Sequence, residues 1–127
     1  MHISVGTDLV EVDRIKKLLS RPRFWSRVFG EQERTYLLAL SSACMAQSAA
    51  ACFAAKEAFG KAMGTGISSF SLTEVQVIHA ENGAPSLHLS GKAKALSDKL
   101  GYTKFSLSLA HTKRYATATL IAYGDEV

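Results

Sequence analysis

Three charged side chains have the type and spacing to handle phosphate: Asp8, Glu57 and Lys61. Glu57 and Lys61 stand four residues apart in Phe53-Ala54-Ala55-Lys56-Glu57-Ala58-Phe59-Gly60-Lys61-Ala62-Met63-Gly64-Thr65-Gly66. On a helix that spacing puts both on one face. A carboxylate among alanines is costly to bury unless it is paired or holds a metal. Asp8 falls within a short, partly β-branched run, and aspartate is depleted in strands. Two separated carboxylates, lysines and a glycine-rich turn suit a Mg²⁺-assisted phosphate site, because Mg²⁺ takes one or two carboxylates, waters and phosphate oxygens. Plainer readings stay open on residue types alone. Glu57 and Lys61 form a surface pair worth roughly 0.2–0.5 kcal/mol, and Asp8 caps the next helix.

The elements that must position these residues can be read in order. Residues 3–10 form a first strand, punctuated by Gly6. Asp13 opens an amphipathic helix with Ile15, Leu18 and Leu19 on its apolar side. Arg14, Lys16, Lys17, Arg21, Arg23 and Arg27 make this region basic, either as a solvated face or as a docking surface for an acidic partner. Pro22 starts a short helix at a favoured first position, Gly30 breaks it, and 31–40 resumes with Tyr36, Leu37 and Leu40 turned inward. Ser41 or Ser42 caps a long central helix that ends at Gly64. Residues 72–79 and 86–89 read as strands around the hairpin signal Asn82-Gly83. A helix capped by Ser90 and closed by Gly101 follows, then strands over 104–110 and 115–123 around the turn 111–114. Residues 124–127 read as a frayed tail. The expected class is α+β: a three- to five-stranded, mostly antiparallel sheet with a long central helix and shorter helices against one face.

At 127 residues the chain reads as one domain, 1–127, with a core of ordinary size. The formal charge of +4 suits an anionic partner without naming it. Met1-His2-Ile3-Ser4 shows no basic-then-apolar leader, and no uncharged run approaches a membrane span. Cys44 and Cys52, on one helix, lie about 12 Å apart along its axis, too far for a disulfide. A reducing, cytoplasmic setting is expected. His2, His79, His88 and His111 show no zinc spacing, and no Walker A, GxSxG or dinucleotide fingerprint occurs. His111, at a strand end, is either satisfied locally or functional.

Gly6-Thr7-Asp8-Leu9-Val10-Glu11-Val12-Asp13-Arg14-Ile15 resembles the N-terminal motif of the holo-acyl-carrier-protein synthase family. The segment from Phe53 through Gly66 resembles its central motif, Asn82-Gly83-Ala84-Pro85 its third, and 106–111 with Tyr115-Ala116 its fourth. The matches run in order over nearly the whole chain. The resemblance implies a 4′-phosphopantetheinyl transferase serving fatty acid biosynthesis. Such an enzyme moves phosphopantetheine from coenzyme A to a serine of apo acyl carrier protein and releases adenosine 3′,5′-bisphosphate. It implies Mg²⁺ on Asp8 and Glu57, with Lys61 neutralising charge on the coenzyme A pyrophosphate. It further implies a coenzyme A pocket lined by Lys61, Gly64, Thr65, Gly66, Asn82, Pro85 and His111. It places Arg14 in carrier docking, to which the basic clustering adds Lys17 and Arg21, and it implies a homotrimer with its pockets between subunits.

Two positions depart from the family pattern. Cys52 stands where an arginine is usual, and Ala84 where a lysine is usual. Both remove positive charge near an anionic ligand, so Cys52→Arg is expected to tighten coenzyme A binding unless another cation has taken that role. Two rival classes are a binding module that kept the pocket without turnover and a basic nucleic-acid-binding domain. The second lacks interleaved exposed aromatics and a fold signature; no nucleic acid and no membrane is expected as partner.

Overall fold

A computed structural model describes residues 1–125, in the order β1 (His2–Glu11), α1 (Val12–Leu18), α2 (Pro22–Val28), α3 (Glu31–Leu38), α4 (Ser42–Met63), β2 (Val75–His79), β3 (Pro85–Leu89), α5 (Gly91–Leu100), β4 (Lys104–His111) and β5 (Tyr115–Gly124). The chain is built around α4. The Ser41 hydroxyl accepts from the Cys44 amide at its start, and Gly64, at φ 77°, closes its end in the left-handed conformation. Its run of alanines leaves room for neighbours on every side. β1 and β5 pack on one flank, and α1, α3 and β2 on others. A helix apolar all round belongs in a core. From Ala49 to Met63 every residue is buried except Glu57 and Lys61.

β1, β5 and β4 form an antiparallel sheet in that order, with Asp8 opposite Ala118 and Leu107 opposite Leu120. Alternation decides its faces. Gly6, Val10, Ala116, Ala118, Leu120 and Ala122 are buried, on the side facing α4. Gly6 has to be glycine: a Cβ there would lie 1.9 Å from the Ala58 carbonyl oxygen. Residues of the opposite parity, Ile3, Val5, Leu9, Tyr115 and Ile121, are exposed.

Five details differ from the sequence expectations. β2 and β3 pair as a separate two-stranded sheet, so five strands make two sheets. Residues Leu72–Glu74 are a 3₁₀ turn and not the start of a strand, because Ser71 and Glu74 form a reciprocal capping box. Glu11 is the N-cap residue of α1 and Asp13 sits inside its first turn, where a carboxylate suits the helix dipole. α3 stops at Leu38, two residues early. Gly124 is buried as the last residue of β5, and the rest of the expected tail beyond Asp125 lies outside the described residues.

No helix among the described residues is long and apolar enough to cross a membrane. Both cysteines are free, Cys44 exposed and Cys52 buried. Burial, and then the charge of Glu33, push the Cys52 thiol up to about 12. Alkylation at pH 8 is therefore expected to modify Cys44 alone, with a second adduct appearing only in denaturant. Equal labelling of both thiols in the folded protein would show that the core around Cys52 opens.

Candidate active site

The two openings in the buried part of α4 face one place. Glu57 and Lys61 lie one turn apart, and β1 runs past them close enough, because of Gly6, for Asp8 to reach in. Lys61 Nζ donates to Asp8 Oδ1 at 3.0 Å and to the Thr7 carbonyl at 3.0 Å. The i,i+4 surface pair is therefore not what forms: Lys61 bonds across to Asp8. Two of its three N–H groups are engaged, which leaves one for an anion. Asp8 is the more enclosed of the two side chains, 17% exposed against 54% for Lys61.

Glu57 is half-buried beside them. Burial, and next the charge of Asp8, raise its carboxyl above the usual glutamate range, while Lys61 and Arg14 pull it back. The two carboxylates thus repel. A divalent cation relieves that repulsion, and the donors are hard oxygens of the kind Mg²⁺ prefers. Among the described residues no group of three or more His, Cys, Asp or Glu gathers as a metal cluster. A cation here would take two protein carboxylates and complete its shell from water and ligand oxygens.

Arg14, expected on a docking face, has a second setting. It projects from α1 with its guanidinium 6.0 Å from the centre of the Phe53 ring, and its charge reaches Glu57. Lys17 and Arg21 stay exposed beside it, with Lys16, Arg23 and Arg27. Trp25 Nε1 donates to the Leu19 carbonyl at 2.8 Å and fixes the corner between α1 and α2 that carries this basic strip.

The glycine turn folds back onto the end of α4. Gly64 and Gly66 both have positive φ, and a Cβ on Gly60 would lie 2.7 Å from the Gly66 backbone. Thr65 Oγ1 donates to the Gly66 carbonyl at 2.9 Å. Gly64, Thr65 and Gly66 therefore sit within a turn of Lys61. Asn82 and Pro85 lie on another element, the β2–β3 hairpin, where Asn82 Oδ1 accepts from the Ala84 amide at 3.0 Å. His111 ends β4 and lines an open hollow of about 250 Å³ with Leu9, Ala110, Thr112, Tyr115 and Thr117. Asp8, Glu57, Lys61, Arg14 and the glycine turn form one group; Asn82, Pro85 and His111 stand apart from it in the fold.

The sequence reading missed a buried ion pair directly behind the site. Lys56 Nζ lies 2.6 Å from Glu33 Oε1, with both side chains fully enclosed. Cys52 sits beside this pair and feels both charges. An arginine at 52 would bring a second cation next to a buried one. Cys52→Arg is thus expected to disturb the core rather than to tighten ligand binding.

This fold is that of a known class. The sequence pattern of the 4′-phosphopantetheinyl transferase superfamily matches residues 4–120. The chain belongs to that superfamily. It is 44% identical over 127 residues to the holo-[acyl-carrier-protein] synthase of Caldanaerobacter subterraneus subsp. tengcongensis, covering 99% of this chain and 98% of that protein. Against the crystal structure of a holo-(acyl-carrier-protein) synthase from Bacillus anthracis in complex with CoA (3′,5′-ADP) the TM-score is 0.81 at 31% identity, over 96% of each chain. Against the Chronobacterium ammoniagenes ACPS–CoA complex it is 0.87 at 28% identity, over 99% of this chain and 100% of that one.

Proposed function

We propose that this chain is a holo-acyl-carrier-protein synthase, transferring 4′-phosphopantetheine from coenzyme A to a serine hydroxyl of apo acyl carrier protein. The observation that carries the reading is the pair of openings in α4. In a helix buried from Ala49 to Met63, the two uncovered residues are a carboxylate and a lysine that meet a second carboxylate from β1. The family supplies the substrates, and the geometry supplies a place for their charge.

In the reaction the serine oxygen forms a bond to the phosphorus that bears the pantetheine. The bond from that phosphorus to the bridging oxygen breaks, adenosine 3′,5′-bisphosphate leaves with the electron pair, and the serine hydroxyl gives its proton to water. Negative charge builds on the leaving phosphate, so catalysis rests on positioning and on charge stabilisation. Asp8 and Glu57 are the residues that would hold Mg²⁺, which when bound supplies electrostatic stabilisation of the pyrophosphate. Lys61 turns its remaining N–H to a phosphate oxygen while Asp8 and the Thr7 carbonyl hold its other two. Arg14 stabilises the ionised form of Glu57, the form that binds a cation. Gly64, Thr65 and Gly66 offer backbone close to Lys61 for the same anion.

Asn82, Pro85 and His111 complete the coenzyme A pocket in a homotrimer whose sites lie between subunits. The support is the open face of the β1–β5–β4 sheet. Ile3, Val5 and Leu9 are 63%, 62% and 65% exposed on one strand, and Val5 pairs with the exposed Ile121 on the next. An apolar sheet face of this kind marks an interaction surface. This reading implies the cytoplasm, where coenzyme A is available and Cys44 and Cys52 stay reduced.

The exposed basic strip is the docking surface for the carrier, an acidic partner in this reading. Because Arg14 also acts on Glu57, Lys17 and Arg21 give the cleaner test. Lys17→Glu with Arg21→Glu is expected to raise the KM for carrier about tenfold or more at low salt and to leave that for coenzyme A unchanged, since opposite charges steer encounter. Raising salt should narrow the difference from wild type, because exposed charges are screened beyond about 8–10 Å. Equal rises in both KM values would assign the strip to structure instead.

A further inference from the structure

We propose that Lys56 and Glu33 are positioning residues for the transfer: their buried ion pair sets the segments that grip coenzyme A against the helix that carries Glu57 and Lys61. The inference deepens the reading of the site given above and rests on it.

Lys56 precedes Glu57, so the helix turns it about 100° away, from the open side into the core. Its ammonium has three donors, and each finds an acceptor: Glu33 Oε1 at 2.6 Å, the Leu72 carbonyl at 3.0 Å and the Val75 carbonyl at 2.5 Å. Glu33 is as fully used. Oε1 also accepts from the Gly30 amide at 3.0 Å, and Oε2 accepts from the Val77 amide at 2.9 Å. Two side chains therefore fasten four backbone positions, at Gly30, Leu72, Val75 and Val77, to α4.

Three of those positions, Leu72, Val75 and Val77, are the roots of the segments that contact coenzyme A in the proposed site. Leu72 lies just past the stretch that begins at Gly64-Thr65-Gly66, whose other end is already fixed to α4 by Thr65 N donating to the Gly60 carbonyl. Val75 and Val77 are in β2, which leads through His79 into the hairpin with Asn82 at its tip and Pro85 opening β3. Val77 also pairs across to Leu87, so a shift at Val77 carries the whole hairpin. In an assembly whose pockets lie between subunits, each hairpin reaches its pocket only if it is held rigidly against its own α4.

Stability alone does not explain the pair. The desolvation of two buried charges offsets much of their attraction, and an apolar pair of similar volume often serves the core as well. What an apolar pair lacks is direction. Hydrogen bonds from one ammonium to the Leu72 and Val75 carbonyls, and from the Gly30 and Val77 amides to one carboxylate, fix both the place and the angle at which β2 meets α4.

The test compares wild type with Glu33→Leu/Lys56→Met, which removes both charges together and keeps an apolar core. Thermal unfolding establishes that the variant is folded. The KM for coenzyme A is expected to rise about tenfold or more, with kcat and the KM for carrier little changed. A merely destabilised enzyme would lose kcat through its folded fraction and keep its KM. A folded double variant with the wild-type KM for coenzyme A overturns the proposal. If the double variant does not fold, Lys56→Arg takes its place with the same readout. It keeps the charge but presents a planar fork to three acceptors arranged for an ammonium, and an unchanged KM there overturns the proposal equally. Calorimetric titration with coenzyme A separates the two levels. No binding by the wild type overturns the site itself, whereas equal binding by wild type and double variant overturns only the positioning role.

Discussion

Glu57→Gln is expected to lower transfer by about two to three orders of magnitude in saturating Mg²⁺, with the fold intact. The amide keeps the shape of the side chain and removes one of two anionic ligands. Fold retention follows from the position itself, since Glu57 occupies an opening in α4 and none of the described hydrogen bonds depends on it. Metal-free stability moves the other way. The folded protein holds the Glu57 carboxyl above its unfolded value, so the cost of ionising it is absent in acid and appears as pH rises through that folded value. Glu57→Gln lacks this cost and is expected to unfold no earlier than wild type at neutral pH without Mg²⁺. Added Mg²⁺ should raise the wild-type melting temperature and leave that of the variant nearly unmoved. Near-wild-type turnover by the variant, or an equal Mg²⁺ shift in both proteins, would remove Glu57 from the metal site.

The second large effect concerns assembly. Val5→Lys places a charge in the middle of the exposed sheet face, opposite Ile121. Each Val or Ile that an interface covers contributes about 1.5–3 kcal/mol, and a trimer repeats the loss three times. If the proposed trimer is right, the variant is expected to run as a monomer in sedimentation and to lose transfer almost entirely, because Asn82, Pro85 and His111 would no longer complete a neighbour's pocket. Its melting as a monomer should stay cooperative, since Val5 points away from α4. A monomeric variant with full activity would show that one chain holds a complete site.

Local signals made much of this fold legible. Ser41 and Gly64 mark the ends of α4, the alternation of Phe105, Leu107 and Leu109 marks β4, and Asn82-Gly83 marks the hairpin. Each rests on a few neighbouring residues. Contacts between residues distant in sequence were not legible from spacing; only the family resemblance placed Asp8 at one site with Glu57 and Lys61. Lys61 has Glu57 four residues away, yet it bonds to Asp8, because β1 passes close to α4 at Gly6, and spacing along the chain carries no trace of that approach. Glu33 looks like one of two surface glutamates in α3, and only the packing of α3 against β2 and α4 shows it to be buried. The turn at Leu72–Glu74 did have a sequence signal, Ser71 followed three residues later by Glu74, which outweighs the alternation that makes the stretch resemble a strand. The division into two sheets follows from hydrogen bonding of β2 and β3 to each other alone, and strand patterns do not encode that choice.

Mass measurement of the carrier tests the central claim most directly. The purified protein is incubated with coenzyme A, Mg²⁺ and apo acyl carrier protein, and the intact carrier is weighed before and after. Transfer adds the mass of one phosphopantetheine to the carrier, releases adenosine 3′,5′-bisphosphate in equal amount, and stops when Mg²⁺ is chelated. A carrier of unchanged mass, with coenzyme A still intact, would contradict it.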